Sequence, residues 1–308
     1  MTNKIVAIQG NNPLKLNPVT DTSVFLAHEI QNKNYKIFYY DPKDLSIINS
    51  KVIASGFFIE FNYKNKKFFK ILKKQKLELT KCKFILIRQD PPFNLEYIST
   101  TYILDSIKDK VKILNNPTSI RNVSEKLYSV KFQKYMPDTI FTQNIDEIKN
   151  FFKKYKKVIL KPIHSYSGND IHLLTSFNLK LIKKFIKQHD HIMCQKFIPK
   201  ISKGDKRVFL INGKVCGAIS RVPKKGSYLS NMSKGAKPIN IKLTKIENKI
   251  SKLIAKDLKK QNIFFAGIDF IDQKLNGDIN VTSPTGLKTL YDLSGINLAK
   301  TFWRELKA

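Results

Sequence analysis

Between Gly267 and Gly286 the chain reads GIDFIDQKLNGDINVTSPTG, and this pattern leaves few folds open. Ala266, Ile268 and Phe270, then Ile279 and Val281, are apolar at every second position. That is the period of a strand with one buried face. Asn276-Gly277 lies between the two runs, and this dipeptide favours the positive φ values of a tight hairpin turn. The expectation is two antiparallel strands joined at Asn276-Gly277. Asp278, Asn280 and Thr282 then share one face of the second strand, with Asp269 roughly opposite on the first. Two carboxylates and an amide oxygen on a rigid sheet face suit a hard divalent cation whose other ligands come from phosphates. A solvated polar face without any ligand fits the same pattern.

A chain of 308 residues with 42% hydrophobic content can build two or three packed units. No run of 18 apolar residues is present, so no segment is expected to span a membrane. The opening MTNKIVAIQG lacks the regions of a signal peptide. Cys82, Cys194 and Cys216 are odd in number and far apart, which speaks against a disulfide framework and for a cytoplasmic protein. The net charge of +32 invites a nucleic-acid partner. Only five of the 56 basic residues are arginine, however: Arg88, Arg121, Arg207, Arg221 and Arg304. Lysine spread evenly with Ile, Asn and Phe reads as a codon bias, so no dedicated nucleic-acid function is expected. Against that background an arginine marks a place where a planar fork is needed rather than a point charge.

Lys4 to Ile8 and Tyr35 to Tyr40 read as strands around a helix that Asp21 caps and that runs to about Gln31. This is the start of an open α/β sheet. Lys51 to Leu79 alternates and reads as an antiparallel excursion. Phe84 to Ile87 is a continuous apolar strand that runs into Arg88-Gln89-Asp90-Pro91-Pro92. The prolines stop the strand and leave Arg88 at its carboxyl end, where open sheets bind ligands; a structural Arg–Asp pair is the alternative. Ser119 to Tyr128 reads as one helix with Ser124 as a candidate cap, and the main domain boundary falls nearby.

Val158 to Leu160 is a strand ending in Lys161-Pro162, followed by the small polar loop His164 to Asp170 and the strand Ile171 to Leu174. Such a hairpin can cover phosphates with N–H groups and hydroxyls while the lysine neutralises charge. It lacks the helix start of a P-loop. Ile192 to Ile198 is a strand that serves either as plain sheet or as an edge against an adenine ring. His189, His191 and Cys194 lack a fourth ligand for zinc. Lys203 to Ile211 and Lys214 to Ser220 form a hairpin turning at Asn212-Gly213, with Arg207 and Arg221 near its ends. Pro223 to Pro238 reads as a loop over a substrate, Thr244 to Gln261 as a long amphipathic helix, and Gly295 to Leu306 as a closing helix.

With these stretches in place, the chain resembles the bacterial glutathione synthetases of the ATP-grasp superfamily over nearly its whole length. The resemblance rests on ordered motifs: RQDPPF from Arg88, NNPTSIRNVSEKL from Asn115, VILKP from Val158, KGDKRV from Lys203, SRVP from Ser220, SNM from Ser230 and INVTSPTG from Ile279. It implies an N-terminal open α/β, Rossmann-like (pre-ATP-grasp) substrate-binding domain over 1–122. An ATP-grasp domain of α+β subdomains then covers 123–308, with a lid at about 129–195 and a catalytic subdomain at about 196–308.

The resemblance further implies an ATP-dependent carbon–nitrogen ligase that joins γ-glutamylcysteine to glycine, with Mg2+ or Mn2+, as a dimer or tetramer. Carried over residue by residue, Lys126, Lys161, Ser165, Tyr166, Ser167, Gly168, Gln195, Phe197, Ile198 and Asp205 contact ATP. Arg207 and Lys161 act in catalysis. Arg88, Arg207, Arg221, Asn231, Ser283 and Thr285 bind the peptide and glycine carboxylates. Asp269, Asp278 and Asn280 hold the cation. Three features depart from the family pattern: the phosphate-covering loop keeps only Gly168, Leu229 stands where an arginine is common, and Asp278 replaces the usual glutamate. The first two leave open a ligase with a different peptide or amino-acid acceptor. The charge and the glycine-poor loop leave open a non-catalytic basic protein that binds nucleic acid.

Overall fold

The computed structural model describes residues 4–165 and 168–308, which build three sheets. The chain opens with β1 (Ile5–Gln9) and α1 (Thr22–Gln31). Asp21 closes the first turn of α1 by accepting from Val24 N–H at 2.9 Å. There follow β2 (Lys36–Tyr40), β3 (Leu45–Ile48), β4 (Lys51–Phe61), β5 (Phe69–Glu78), β6 (Phe84–Ile87), α2 (Leu95–Asp105), β7 (Lys112–Leu114) and α3 (Pro117–Asn122). The strands lie in the order β3-β4-β2-β1-β6-β7, with β5 paired to β4. β2, β1, β6 and β7 are parallel, while β4 runs antiparallel to β2. The long β4–β5 hairpin is the antiparallel excursion expected over this stretch. The continuous apolar run of β6 is explained by burial on both faces of the sheet.

The second sheet contains β8 (Thr139–Thr142), β9 (Val158–Pro162), β10 (His172–Leu174) and β11 (Ile192–Lys196), with α4 (Ile145–Tyr155) and α5 (Leu179–His189) between strands. Its order is β10-β9-β11-β8 and every pairing is antiparallel. Both helices are amphipathic, and Ile148, Ile182 and Phe185 point from them into one small core.

The third sheet is built from β12 (Asp205–Ile211), β13 (Lys214–Val222), β14 (Lys237–Asn240), β15 (Phe265–Ile271) and β16 (Lys274–Asn280). It takes the order β14-β13-β12-β15-β16. α6 (Lys245–Lys260) covers one face. α7 (Leu287–Ser294) and α8 (Leu298–Glu305) cover the other and share their core with the first sheet. Trp303 of α8 is fully buried there, and its Nε1 donates to the Leu26 carbonyl of α1 at 2.9 Å.

Two expectations are corrected. The hairpin of β15 and β16 turns at Asp272-Gln273, whose φ values are 46° and 63°, and not at Asn276-Gly277. Leu275 pairs with Phe270 and Ile279 with Ile268, so Asn276, Gly277 and Asp278 stand as a bulge against the single residue Asp269. Ser119 to Tyr128 is not one helix either. α3, capped by Asn116, ends at Asn122, and residues 127–135 form a 3-10 segment. The chain between them turns at Glu125-Lys126, and the Glu125 carbonyl there accepts from Ile279 N–H of β16 at 2.9 Å.

Candidate active site

The three sheets meet around a cavity of about 560 Å³. The first sheet contributes loop residues Lys15, Thr20, Asp21, Asp90 and Pro91. The second contributes Ile159, Lys161 and Gln195. The third contributes Asp205, Arg207, Arg221, Asp269, Asp278 and Asn280.

Arg207 and Asp269 are register partners on β12 and β15, and Asp205 and Arg221 are partners on β12 and β13. Alternation along β12 therefore puts Asp205 and Arg207 on one face, beside both partners. The Arg207 guanidinium grips Asp269 through Nε and Nη2, the latter at 2.7 Å from Oδ2. Arg221 grips Asp205 in the same two-pronged way, with Nε at 2.8 Å from Oδ1, and extends Nη2 to Asp269 Oδ2 at 2.8 Å. All four side chains are buried. Burial alone would raise the Asp269 carboxyl, but the Arg207 and Arg221 charges outweigh it and hold the group at about 2. Asp205, expected among the ATP contacts, is thus the anchor of Arg221.

A second cluster surrounds Asp278. Lys126 Nζ lies 3.6 Å from its Oδ1 and Lys161 Nζ lies 3.6 Å from its Oδ2. Lys161 also donates to Asn276 Oδ1 and to the Asn276 carbonyl, each at 2.9 Å, so the bulge presents both its carboxylate and its amide to the lysine. Lys126 donates to the Ser165 carbonyl at 3.0 Å, which ties the covering loop to this cluster. Burial pushes Lys161 down from its ordinary value, and neighbouring Lys126 adds to the effect against the pull of Asp278. Burial acts on Lys126 in the same direction, but Glu125 and Asp278 reverse it and leave Lys126 raised.

The remaining expected residues divide as follows. Ser165, Gly168, Phe197, Ile198, Asn231, Ser283 and Thr285 line the cavity together with those named above. Tyr166 and Ser167 lie outside the described residues. Gln195 is held by a bond from its Nε2 to Thr139 Oγ1 at 2.9 Å. Arg88 is not part of the lining. It is buried at the joint between the first and third sheets, donating to Ser23 Oγ and to the Pro284 carbonyl at 3.0 Å each. Its Nη1 is buried without a partner among the described residues.

Sequence reasoning missed Glu125, Asp21, Asp90 and Tyr228, all of which line the cavity. Glu125 stands next to Lys126 in the SEKL motif, inside the stretch Ser119 to Tyr128 that reads as one helix. Its carboxylate lies 3.6 Å from Lys126 Nζ. Burial raises its carboxyl, and Asp278 and Asp269 push the same way against Lys126 and Arg207.

Among the described residues the charged lining is balanced: Lys15, Lys126, Lys161, Lys196, Arg207 and Arg221 face Asp21, Asp90, Glu125, Asp205, Asp269 and Asp278. A net charge of +32 on the chain therefore does not make this cavity basic. At Lys126, Lys161, Arg207 and Arg221 a bound triphosphate would meet cations that already have carboxylate partners, so there it must bring countercharge with it. Asp269, Asp278 and Asn280 supply hard oxygen donors beside each other for such a cation. No group of three or more His, Cys, Asp or Glu side chains forms a complete metal cage among the described residues.

Three sheets closing on one cavity are the architecture of the ATP-grasp fold. Solved structures support the fold. A Chryseobacterium gregarium RiPP-associated ATP-grasp ligase, in complex with ADP and a leader and core peptide, is similar at TM-score 0.66 and 17% identity, covering 99% of this chain and 97% of its own. The D-cycloserine synthetase DcsG is similar at TM-score 0.66 and 9% identity, covering 98% and 99%.

The family follows from sequence likeness. The models of the prokaryotic glutathione synthetase N-terminal domain and ATP-grasp domain match residues 5–121 and 125–295. Glutathione synthetase of Bradyrhizobium diazoefficiens is 32% identical over 302 residues, covering 97% of this chain and 96% of its own. That of Brucella melitensis is 33% identical over 307 residues, covering 98% of each. The chain belongs to the prokaryotic glutathione synthetase family and is an ATP-dependent ligase.

Proposed function

We propose that the chain joins the carboxylate of γ-glutamylcysteine to the amine of glycine, with ATP giving ADP and phosphate. The observation that carries this reading is the pair of buried forks, Arg207 and Arg221, locked on Asp269 and Asp205 beside the Lys126–Asp278–Lys161 cluster. The dipeptide carboxylate attacks the γ-phosphate and ADP departs. The glycine amine then attacks the acyl phosphate carbon, phosphate departs, and the amine proton is lost to solvent. Chemistry of this kind rests on positioning and charge neutralisation. Lys126, Lys161, Ser165 and Gly168 hold the phosphates, Gln195, Phe197 and Ile198 line the nucleotide's base end, and Arg207 faces the transferred phosphoryl group. Arg221, Asn231, Ser283 and Thr285 receive the carboxylates, with Arg88 supporting the Ser283–Thr285 segment from behind through its bond to the Pro284 carbonyl. Asp269, Asp278 and Asn280 would hold Mg2+, or Mn2+ in its place, which supplies charge neutralisation at the phosphates.

The same reading divides the chain into a substrate domain over 1–122 and an ATP-grasp domain over 123–308, and makes the protein a cytoplasmic homo-oligomer of two or four copies. The balanced cavity lining supports a small-molecule site over a nucleic-acid one. Among the described residues no helix is long and apolar enough to cross a membrane. The test is ADP release with γ-glutamylcysteine, with and without glycine, in Mg2+. Release that needs both, with glutathione as product, supports the reading. Release that glycine does not accelerate supports a second reading, a ligase for another acceptor, which the apolar Leu229 in the cavity wall favours.

A further inference from the structure

We propose that Asn115 is a positioning residue that holds together the open end of the strand pair carrying Asp269, Asp278 and Asn280. The inference rests on the reading of those three residues as the cation site. Asn115 follows β7 of the first sheet and is buried. Its Oδ1 accepts from the N–H groups of Phe264 and Phe265, each at 2.8 Å. Its Nδ2 donates to the carbonyls of Phe265 and Val281, each at 2.7 Å. Both donors and both lone pairs of the amide are thereby used. Phe265 opens β15, and Val281 directly follows β16.

The last register pair of these strands is Gly267 with Asn280. The Asn115 amide therefore stands where the ladder ends, bridging the two strands as a further rung. At the other end the strands are joined by the turn at Asp272-Gln273, and between lies the bulge at Asn276–Asp278, which breaks the regular pairing opposite Asp269. The bulge leaves only two register pairs, Ile268 with Ile279 and Gly267 with Asn280, to hold the open end, with Asn280 at that end and Asp269 opposite the bulge itself. Asn115 fixes their separation from the first sheet. The bond from Ile279 N–H to the Glu125 carbonyl is a second fastening of β16, but it does not reach β15. Ligand oxygens must be held to fractions of an ångström for a small hard cation.

The experiment measures Mn2+ binding by electron paramagnetic resonance in the presence of ADP, for the unaltered chain, Asn115→Leu and Asn115→Asp. Leucine removes all four bonds; aspartate keeps the acceptors and loses the donors to Phe265 and Val281. Both variants, held well below their unfolding temperature, are expected to bind Mn2+ about tenfold more weakly, the range found for groups that orient metal ligands. A lowered unfolding temperature with unchanged Mn2+ affinity overturns the proposal, since that is what a merely structural residue gives. Where neither variant folds, amide exchange of Phe264 and Phe265 in the unaltered chain decides. It slows when Mg2+ and ADP bind if the clamp and the site are coupled, and unchanged exchange overturns the coupling. An unaltered chain that takes up no Mn2+ refutes the cation site itself, and this inference with it.

Discussion

Arg207 and Asp269 stand opposite each other on adjacent strands, and the guanidinium closes on the carboxylate through two hydrogen bonds while Arg221 adds a third. Asp278 is held differently, between two lysine ammonium groups at 3.6 Å, with its side chain 17% exposed. The two proposed cation ligands should therefore respond differently to the same change. Asp278→Asn removes the carboxylate from between two buried lysines, so turnover falls by about 100- to 1,000-fold, while stability falls by only about 1 kcal/mol because each ammonium keeps another partner, Glu125 for Lys126 and Asn276 for Lys161. Asp269→Asn also abolishes turnover, but it leaves two buried guanidiniums under-compensated and costs about 3 kcal/mol of stability. Steady-state kinetics with urea unfolding of both variants checks the contrast; equal stability loss in the two would contradict it.

The Asp269 carboxyl also sets an acid limit. It titrates at about 2 in the folded chain, against about 4 when unfolded. Because the folded value is depressed, the contribution is complete above about pH 4 and disappears as pH falls toward about 2; its size is on the order of 2 kcal/mol. Urea unfolding of the unaltered chain and Asp269→Asn across pH 6 to 2.5 should show a stability difference that narrows below about pH 4. A difference that stays constant over that interval would place the ionised carboxylate's contribution elsewhere.

Much of this site was legible because its parts are local. The β12–β13 hairpin turns at Asn212-Gly213, both at positive φ, as the dipeptide predicts. The scarcity of arginine marked true forks: Arg207 and Arg221 are two-pronged at carboxylates in the cavity. Arg121 follows the same rule away from the site, gripping Asp105 and stacking 4.0 Å over Tyr102, so a fork marks geometry rather than function. What was not legible is the register of β15 on β16. The apolar alternation of Ile268, Phe270, Ile279 and Val281 is unchanged whether the chain turns at Asn276-Gly277 or bulges there. The choice is made by tertiary contacts, with Gly277 lying against Met193 and Met136 and Asn276 meeting Lys161. Glu125 escaped notice for a similar reason, since its partner Ile279 is far away in sequence.

Gly277 makes the bulge testable. Its φ is 86°, and a Cβ there would meet the Met193 and Met136 methyl groups. Gly277→Ala therefore adds backbone strain of about 1–2 kcal/mol at the residue preceding Asp278. The strand relieves it by shifting the bulge, which displaces Asp278 from Lys126 and Lys161. Misplacement of a site group on the ångström scale lowers kcat/KM by about one to two orders of magnitude. The half-saturating Mg2+ concentration should rise with it. Full activity at unchanged Mg2+ dependence would show that the bulge does not set the position of Asp278.

Glu247 offers the converse, a buried charge with no place in the cavity. Its side chain is fully buried, and both its oxygens accept from Lys206 Nζ, at 2.8 and 2.9 Å. One oxygen also accepts from Thr244 N–H at 2.8 Å while Thr244 Oγ1 accepts from Glu247 N–H at 3.2 Å, a reciprocal cap on α6. Lys206 lies on β12 beside Arg207 but on the opposite face. Glu247→Ala thus removes a cap and strands a half-buried ammonium in one step, and stability should fall by about 3 kcal/mol. Glu247→Gln keeps the cap and part of the Lys206 contact, so it should lose about half as much. Neither change reaches the Arg207–Asp269 pair across the sheet, so kcat of the folded protein should stay within about twofold in both variants. A loss of kcat that exceeds this, measured where both variants are fully folded, would mean that strain in β12 is transmitted to Arg207, and that the two faces of the strand are not independent.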